Sequence, residues 1–173
     1  MALLHCSNIL LKQLDAMPGL GEPPPSAQGR LGNWCAAMLS LGKRRAVLFM
    51  NQRTQLSFII LEGQRFDAEA IAKVFWGGLS RALELHEVKA GVTEEVVASY
   101  KELVLAPTPS ASLTAHMNNL ARDYKQLVEV AGGIERCNIS TIIHSLNQRP
   151  RKSLNWSTPE EVMRDLINAT TAH

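Results

Sequence analysis

The residues of this chain best suited to chemistry are cationic. Lys43-Arg44-Arg45 and Arg53 form one group, and Arg149, Arg151 and Lys152 flank Pro150 to form a second. Guanidinium and ammonium groups so placed can neutralise phosphates, which makes a nucleic acid the natural ligand class. The plainer reading is solvated charge on turns, which also discourages sheet edges from pairing with other chains. A net charge of +2 is no basic excess of the kind that nucleic-acid-binding domains carry. With aromatic residues at 5%, extensive base stacking is not expected. A further polar group, His116, Asn118 and Asn119, surrounds Met117 and reads as a solvated face where a helix starts.

Other chemistries fail on spacing. Gly42-Lys43 resembles the end of a phosphate loop, but Ala37 and Arg44 stand where that loop needs a glycine and a hydroxyl. Cys6, Cys35 and Cys137 are scattered, and no two-residue spacer pairs them for a metal. Cys35 beside Trp34 is a conceivable nucleophile, but the sequence places no histidine next to it. Glu94-Glu95 and Glu160-Glu161 lie in first helical turns, where the helix dipole accounts for them. No catalytic residue, cofactor site or metal site is therefore assigned.

The elements that must position these groups begin with three apolar runs, Trp34–Leu41, Ala46–Met50 and Leu56–Leu61. Polar breaks of four and five residues separate them, which suits hairpins and is too short for a parallel crossover. The pattern predicts an antiparallel meander over 33–61. Ala2–His5 reads as an added edge strand, making three to four strands in all. Alternation along the first run puts one of Trp34 and Cys35 inward and the other outward. Ser7 caps a short helix, and 17–32 is a surface loop rich in proline and glycine.

Downstream the pattern is helical. Asp67 caps a helix carrying the Gly77-Gly78 pair, which marks a kink or a close approach. Thr93 caps a second helix, whose apolar stripe continues through Tyr100, Leu103 and Val104. Ser112 opens the longest one, and Asn138 begins a further helix that Pro150 stops. Thr158-Pro159-Glu160-Glu161 combines an N-cap, a proline at the first helical position and a glutamate at the third. The expected fold is one α+β domain over 1–173, an antiparallel sheet covered by about six helices. Scattered cysteines and no apolar signal segment or membrane span indicate a cytoplasmic protein.

Leu31-Gly32-Asn33-Trp34-Cys35-Ala36-Ala37-Met38 and the basic turn after it resemble an uncharacterised bacterial family, a domain of unknown function. That family carries a Leu-Gly-x-Trp-Tyr-Ala-Asn-Leu run, then a Ser-Met-Asn-Asp run and a late Leu-Asn-x-x-Pro segment. The matching positions here are His116-Met117-Asn118-Asn119 and Leu146-Asn147-Gln148-Arg149-Pro150. Cys35, Ala37, His116 and Asn119 depart from the family pattern, and the family implies no activity. Residues 146–163 are also similar to the C-terminal ends of bacterial transposases and integrases with a ribonuclease-H-like core. That fold carries catalytic acids on its strands, and the meander has none. The shared string therefore implies a docking device for the last helix.

The function expected from these observations is a non-catalytic protein-interaction or regulatory module with a protein partner. The alternative is a nucleic-acid-associated protein, linked to mobile elements, using the two basic groups. An enzyme with a dispersed site is the third reading. The capping signal gives the first test. Thr158→Ala should cost about 1 kcal/mol of stability in chemical denaturation, the usual loss for a cap. An unchanged midpoint would show that the cap does not fix where this helix begins.

Overall fold

The computed structural model describes residues 2–14, 29–63 and 67–171. Ala2–Cys6 (β1) is followed by a helix, Asn8–Leu14 (α1), and then by the meander of Trp34–Leu41 (β2), Arg44–Asn51 (β3) and Ser57–Leu61 (β4). Ala68–Leu85 (α2) and Ala90–Ala98 (α3) precede a last strand, Leu103–Pro107 (β5). Ala111–Val130 (α4), Ile139–Asn147 (α5), a single 3₁₀ turn at Lys152–Leu154 and Pro159–Thr171 (α6) complete the chain.

The meander pairs antiparallel as expected, with Phe49 opposite both Ala36 and Phe58. The sheet as a whole is not antiparallel, however. It is a mixed sheet of five strands in the order β4-β3-β2-β1-β5. β1 runs parallel to β2 and to β5, and so lies inside the sheet rather than at its edge. Each parallel pair is joined through a long connection that contains helix, as parallel strands require. Leu103 and Val104 therefore belong to β5, not to the tail of α3. Their apolar spacing fits a helix equally well, and pairing with β1 decides between the two.

Pleating sends alternate residues to opposite faces, and both faces are covered. On one, Trp34, Phe49 and Phe58 meet Phe75 of α2 and Tyr100, with ring centroids 5.1–6.4 Å apart. On the other, the Ser57 hydroxyl reaches Tyr124 of α4 at 2.8 Å. Trp34 and Cys35 point to opposite faces, yet both are buried, which corrects the inward–outward expectation. Tyr100 pins the approach to β2: its hydroxyl accepts from Leu31 N–H and donates to the Gly32 carbonyl. Residues 17–28 of the proline- and glycine-rich stretch lie outside the described residues.

Most helix starts follow the capping side chains. Ser7, Asp67 and Asn138 accept from the amides of Leu10, Ala70 and Thr141. Thr158 Oγ1 accepts from Glu161 N–H at 3.1 Å, and Glu161 reaches back toward the Thr158 amide at 3.5 Å. Two starts differ. Thr93 lies inside α3, buried, because the helix begins at Ala90 without a side-chain cap. Ser110, not Ser112, caps α4, so His116, Asn118 and Asn119 sit in its second and third turns rather than at its start.

The Gly77-Gly78 pair divides into two different positions. α2 runs unbroken through both. A Cβ on Gly78 would lie 2.4 Å from Phe58 Cε2 and 2.9 Å from Ile60 Cδ1, so glycine lets the helix settle on β4. A Cβ on Gly77 would meet nothing within 4 Å. Gly78→Ala should lose about 1–3 kcal/mol through overpacking. Gly77→Ala should gain up to about 1 kcal/mol from helix propensity. Urea unfolding of the two variants checks the assignment, which fails if their signs agree.

Candidate functional site

β3 runs from Arg44 at one end of the sheet to Asn51 at the other, about 23 Å at the usual rise per residue. Lys43, Arg44 and Arg45 occupy the first end and Arg53 the second, so the first basic group is split. Arg44 and Arg45 are already paired, with Glu135 at 3.7 Å and Glu62 at 3.5 Å, and Arg45 also donates to Gln13. Arg151 and Lys152 fall at the second end. There they share a cavity of about 580 Å³ with His116 and Asn119 of α4, over Met50 and beside Gln55 and Ser153. Two groups read separately from the sequence thus meet. Asn118 and Arg149 are exposed and do not line it.

The Cys35 thiol lies in register with His5 on the neighbouring strand, a juxtaposition invisible in the sequence. His5 Nδ1 donates to the Pro107 carbonyl at 2.9 Å. Burial pushes the Cys35 thiol up to about 11, against the opposing effect of the Gln52 amide 3.5 Å away. A thiol so strongly protonated is a poor nucleophile at neutral pH. It is a small buried residue, as Cys6 is.

A buried polar node lies where β4, the end of α2, α5 and α6 meet. Asn147 is fully buried. Its Oδ1 accepts from Ser57 N–H and its Nδ2 donates to the Ser57 carbonyl, both at 2.9 Å, as a neighbouring strand would. These backbone partners fix the amide orientation. Nδ2 also donates to His86 Nε2 at 3.1 Å, so Nε2 is an acceptor and the imidazole proton sits on Nδ1. Nδ1 faces Glu160 Oε1 at 3.6 Å. His144 stacks on His86 with centroids 5.0 Å apart.

His86, His144 and Glu160 bring ligand atoms within 4.8 Å of one another, a grouping that could in principle hold a metal. The hydrogen bonds oppose that use. Nδ1 carries the proton a metal would have to displace, and Nε2 is held by the fixed amide. Glu160 is also occupied, by Arg164 at 3.0 Å and by Gln148 at 3.1 Å. Arg164 donates to the His86 carbonyl as well. The node is a structural tie between elements. No sequence signal singled out His86. Asn147 lay within the Leu-Asn-x-x-Pro string, whose role is now physical: Leu146 fills the core, Asn147 ties the strand and Gln148 holds Glu160.

A second concavity is apolar. A groove of about 390 Å³ runs between α2 and α5 beside Ile59, Ile60 and Leu61 of β4. β4 is an edge strand. In an antiparallel ladder, backbone groups alternate between the partner strand and the free side. Leu56 and Glu62 bond toward β3, so Ser57, Ile59 and Leu61 present theirs outward. Asn147 takes those of Ser57. Those of Ile59 and Leu61 meet no partner among the described residues.

Fold and sites together define an α+β arrangement with a mixed sheet, a structural polar node, a cationic cavity and an apolar groove. The chain belongs to the family described as "Domain of unknown function (DUF6933)", which matches residues 3–162. Neither the curated proteins nor the solved structures provide a match. No helix among the described residues is long and apolar enough to cross a membrane. None of the five described strands carries an aspartate or glutamate, although the sheet does contain parallel pairs.

Burial holds the His86 pKa below its ordinary value; Glu160 opposes the shift and His144 adds to it. Protonating Nε2 would also set two donors face to face. The unfolded imidazole takes its proton near pH 6.5 while the folded one resists. This contribution to stability is therefore complete above about pH 6.5 and is lost as pH falls toward the folded value. The melting temperature should drop between pH 7 and 5. His86→Gln, which keeps an acceptor but cannot titrate, should flatten that slope. Identical profiles in the two proteins would remove His86 from the acid response.

Proposed function

We propose that this domain is a non-catalytic protein-interaction module which accepts an extended segment of a partner along the free edge of β4. The observation that carries the reading is the pair of outward-facing backbone positions, Ile59 (buried) and Leu61 (half-exposed), which meet no partner among the described residues and line an apolar groove. Strand addition satisfies such an edge by main-chain hydrogen bonds and gains specificity from pockets for alternate side chains. Ile139 and Ile143 on one wall and Leu85 on the other suit apolar side chains. Arg81, exposed at the rim and paired with no acid among the described residues, suits an acidic one. Asn147 already occupies the strand position opposite Ser57, so the register of an added strand begins after it.

A cytoplasmic setting accords with the free cysteines. A nucleic-acid role has weaker support. Lys43, Arg44 and Arg45 lie at the opposite end of the sheet from Arg53, Arg151 and Lys152, and two of the three cations at that end are ion-paired.

Leu61→Pro tests the strand-addition reading. It deletes an outward N–H that the β3–β4 ladder does not use, and proline is tolerated on edge strands. Peptides selected from a random displayed library on the native domain should bind Leu61→Pro at least tenfold more weakly, with its melting transition retained. The enriched sequences should alternate apolar residues and carry an acidic position. Selection that yields nothing, or peptides that bind both proteins alike, would overturn the proposal.

A further inference from the structure

The cavity at the other end of β4 has no part in that reading. Its volume of about 580 Å³ falls in the range of small-molecule sites. Its lining is one-sided in charge: Arg151 and Lys152 contribute cations, His116, Asn119 and Ser153 contribute polar groups, and no carboxylate is present. Arg151 is half-buried and makes no ion pair among the described residues. One Nη donates to the Leu146 carbonyl at 3.3 Å, and the buried Nε–H has no acceptor. A guanidinium withdrawn from water without a counter-charge is costly, and an incoming anion would offset that cost. Burial works against the charge of Arg151, and Asp123 on α4 opposes that effect from beyond hydrogen-bond reach.

Backbone strain marks the same place. Four described residues other than glycine adopt left-handed backbone angles: Gln55, Glu87, Asn155 and Trp156, at φ of 60°, 62°, 53° and 67°. Three of the four belong to the two turns that build this cavity. Left-handed angles are unusual for glutamine and for a bulky tryptophan, and strain of this kind gathers at ligand clamps. The strained turns are also locked. Trp156 N–H donates to the Arg151 carbonyl at 2.8 Å and Arg151 N–H to the Ser157 carbonyl at 3.0 Å. The Gln55 side chain ties the two turns together through Ser153 Oγ at 2.7 Å. Lys152 and Ser153 are exposed, so packing does not explain why they are held so firmly. A backbone turn locked before any ligand arrives, with the Arg151 guanidinium anchored on the Leu146 carbonyl, loses little entropy on binding.

We propose that this cavity, between the β3–β4 turn, the second and third turns of α4 and the Arg151–Ser157 turn, binds a small organic phosphate. Arg151 and Lys152 together match the charge of a phosphate dianion. Arginine offers that group paired N–H donors, and lysine a point charge. Asn119 and His116 supply further polar contacts, and Met50 gives the organic part an apolar floor. A nucleic-acid strand is not the favoured ligand, because Arg44 and Arg45, at the far end of the sheet, are already paired with Glu135 and Glu62.

The test is amide-resolved NMR titration of the whole chain at constant ionic strength. The probes are inorganic phosphate, ribose 5-phosphate and a ten-nucleotide single strand of DNA lacking a terminal phosphate. Saturable shifts confined to residues 50–55, 116–119 and 151–157 are expected. Ribose 5-phosphate should bind at least tenfold more tightly than inorganic phosphate. Lys152→Gln removes an exposed side chain that makes no bond among the described residues, and should weaken both by at least fivefold. Arg151→Lys keeps the charge but loses the paired donors, and should weaken them as well. Absence of saturable shifts with 10 mM of either phosphate would overturn the proposal. So would shifts centred on Lys43–Arg45, equal binding by Lys152→Gln, or binding of the oligonucleotide alone.

Discussion

A single buried amide settles how the C-terminal third of this protein meets its sheet. Asn147 gives Ser57 both hydrogen bonds that a sixth strand would have given, so an edge strand that would otherwise need covering is closed at its first outward position. The same amide then donates to His86, at the end of α2, and so dictates the tautomer of that ring. Through His86 and Gln148 the constraint passes to Glu160, and through Glu160 to Arg164 on α6. β4, α2, α5 and α6 are held by one connected set of polar groups. In a low-dielectric interior such a set is worth having only when nearly every member is satisfied. Replacing Asn147 with an apolar residue of similar size would leave Ser57 N–H, its carbonyl and His86 Nε2 without partners together.

The two open concavities follow from where that amide sits. Ahead of it along β4, the outward positions line an apolar groove between α2 and α5. Behind it, the turn at Gln55 and the turn after α5 are tied to each other through Ser153, and the surface becomes cationic.

Local chemistry in the sequence was a good guide to local structure. The meander was legible because each strand is short, apolar and bounded by turn residues, and its pairings are between neighbours. Asp67, Asn138 and Thr158 were legible as caps because a capping side chain acts within three residues of itself. What was not legible is non-local. Nothing in Ala-Leu-Leu-His-Cys says that β1 will lie between two parallel partners, one of them about a hundred residues away. Leu103 and Val104 looked like the end of a helical stripe because their spacing continues the period of the helix before them, and only the pairing with β1 makes them strand. The string at 146–150 was visible as a string, but its meaning needed Ser57, ninety residues upstream. The polar patch at His116 was visible too, whereas its meeting with Arg151 depends on how α4 crosses the sheet.

The central place of β1 has a consequence for how the chain reaches this structure. Its five residues precede every other described element in the chain, yet their pairing with β5 closes a loop of about a hundred residues. Contacts of such long range are slow to form, because closure entropy must be met before any hydrogen bond is gained. The meander can assemble from near neighbours well before then, leaving the free flank of β2 exposed while β1 and β5 are still unplaced. Assembly of the parallel half of the sheet is thus the expected slow step, and the intermediate before it is the species most open to mispairing with another copy of the chain.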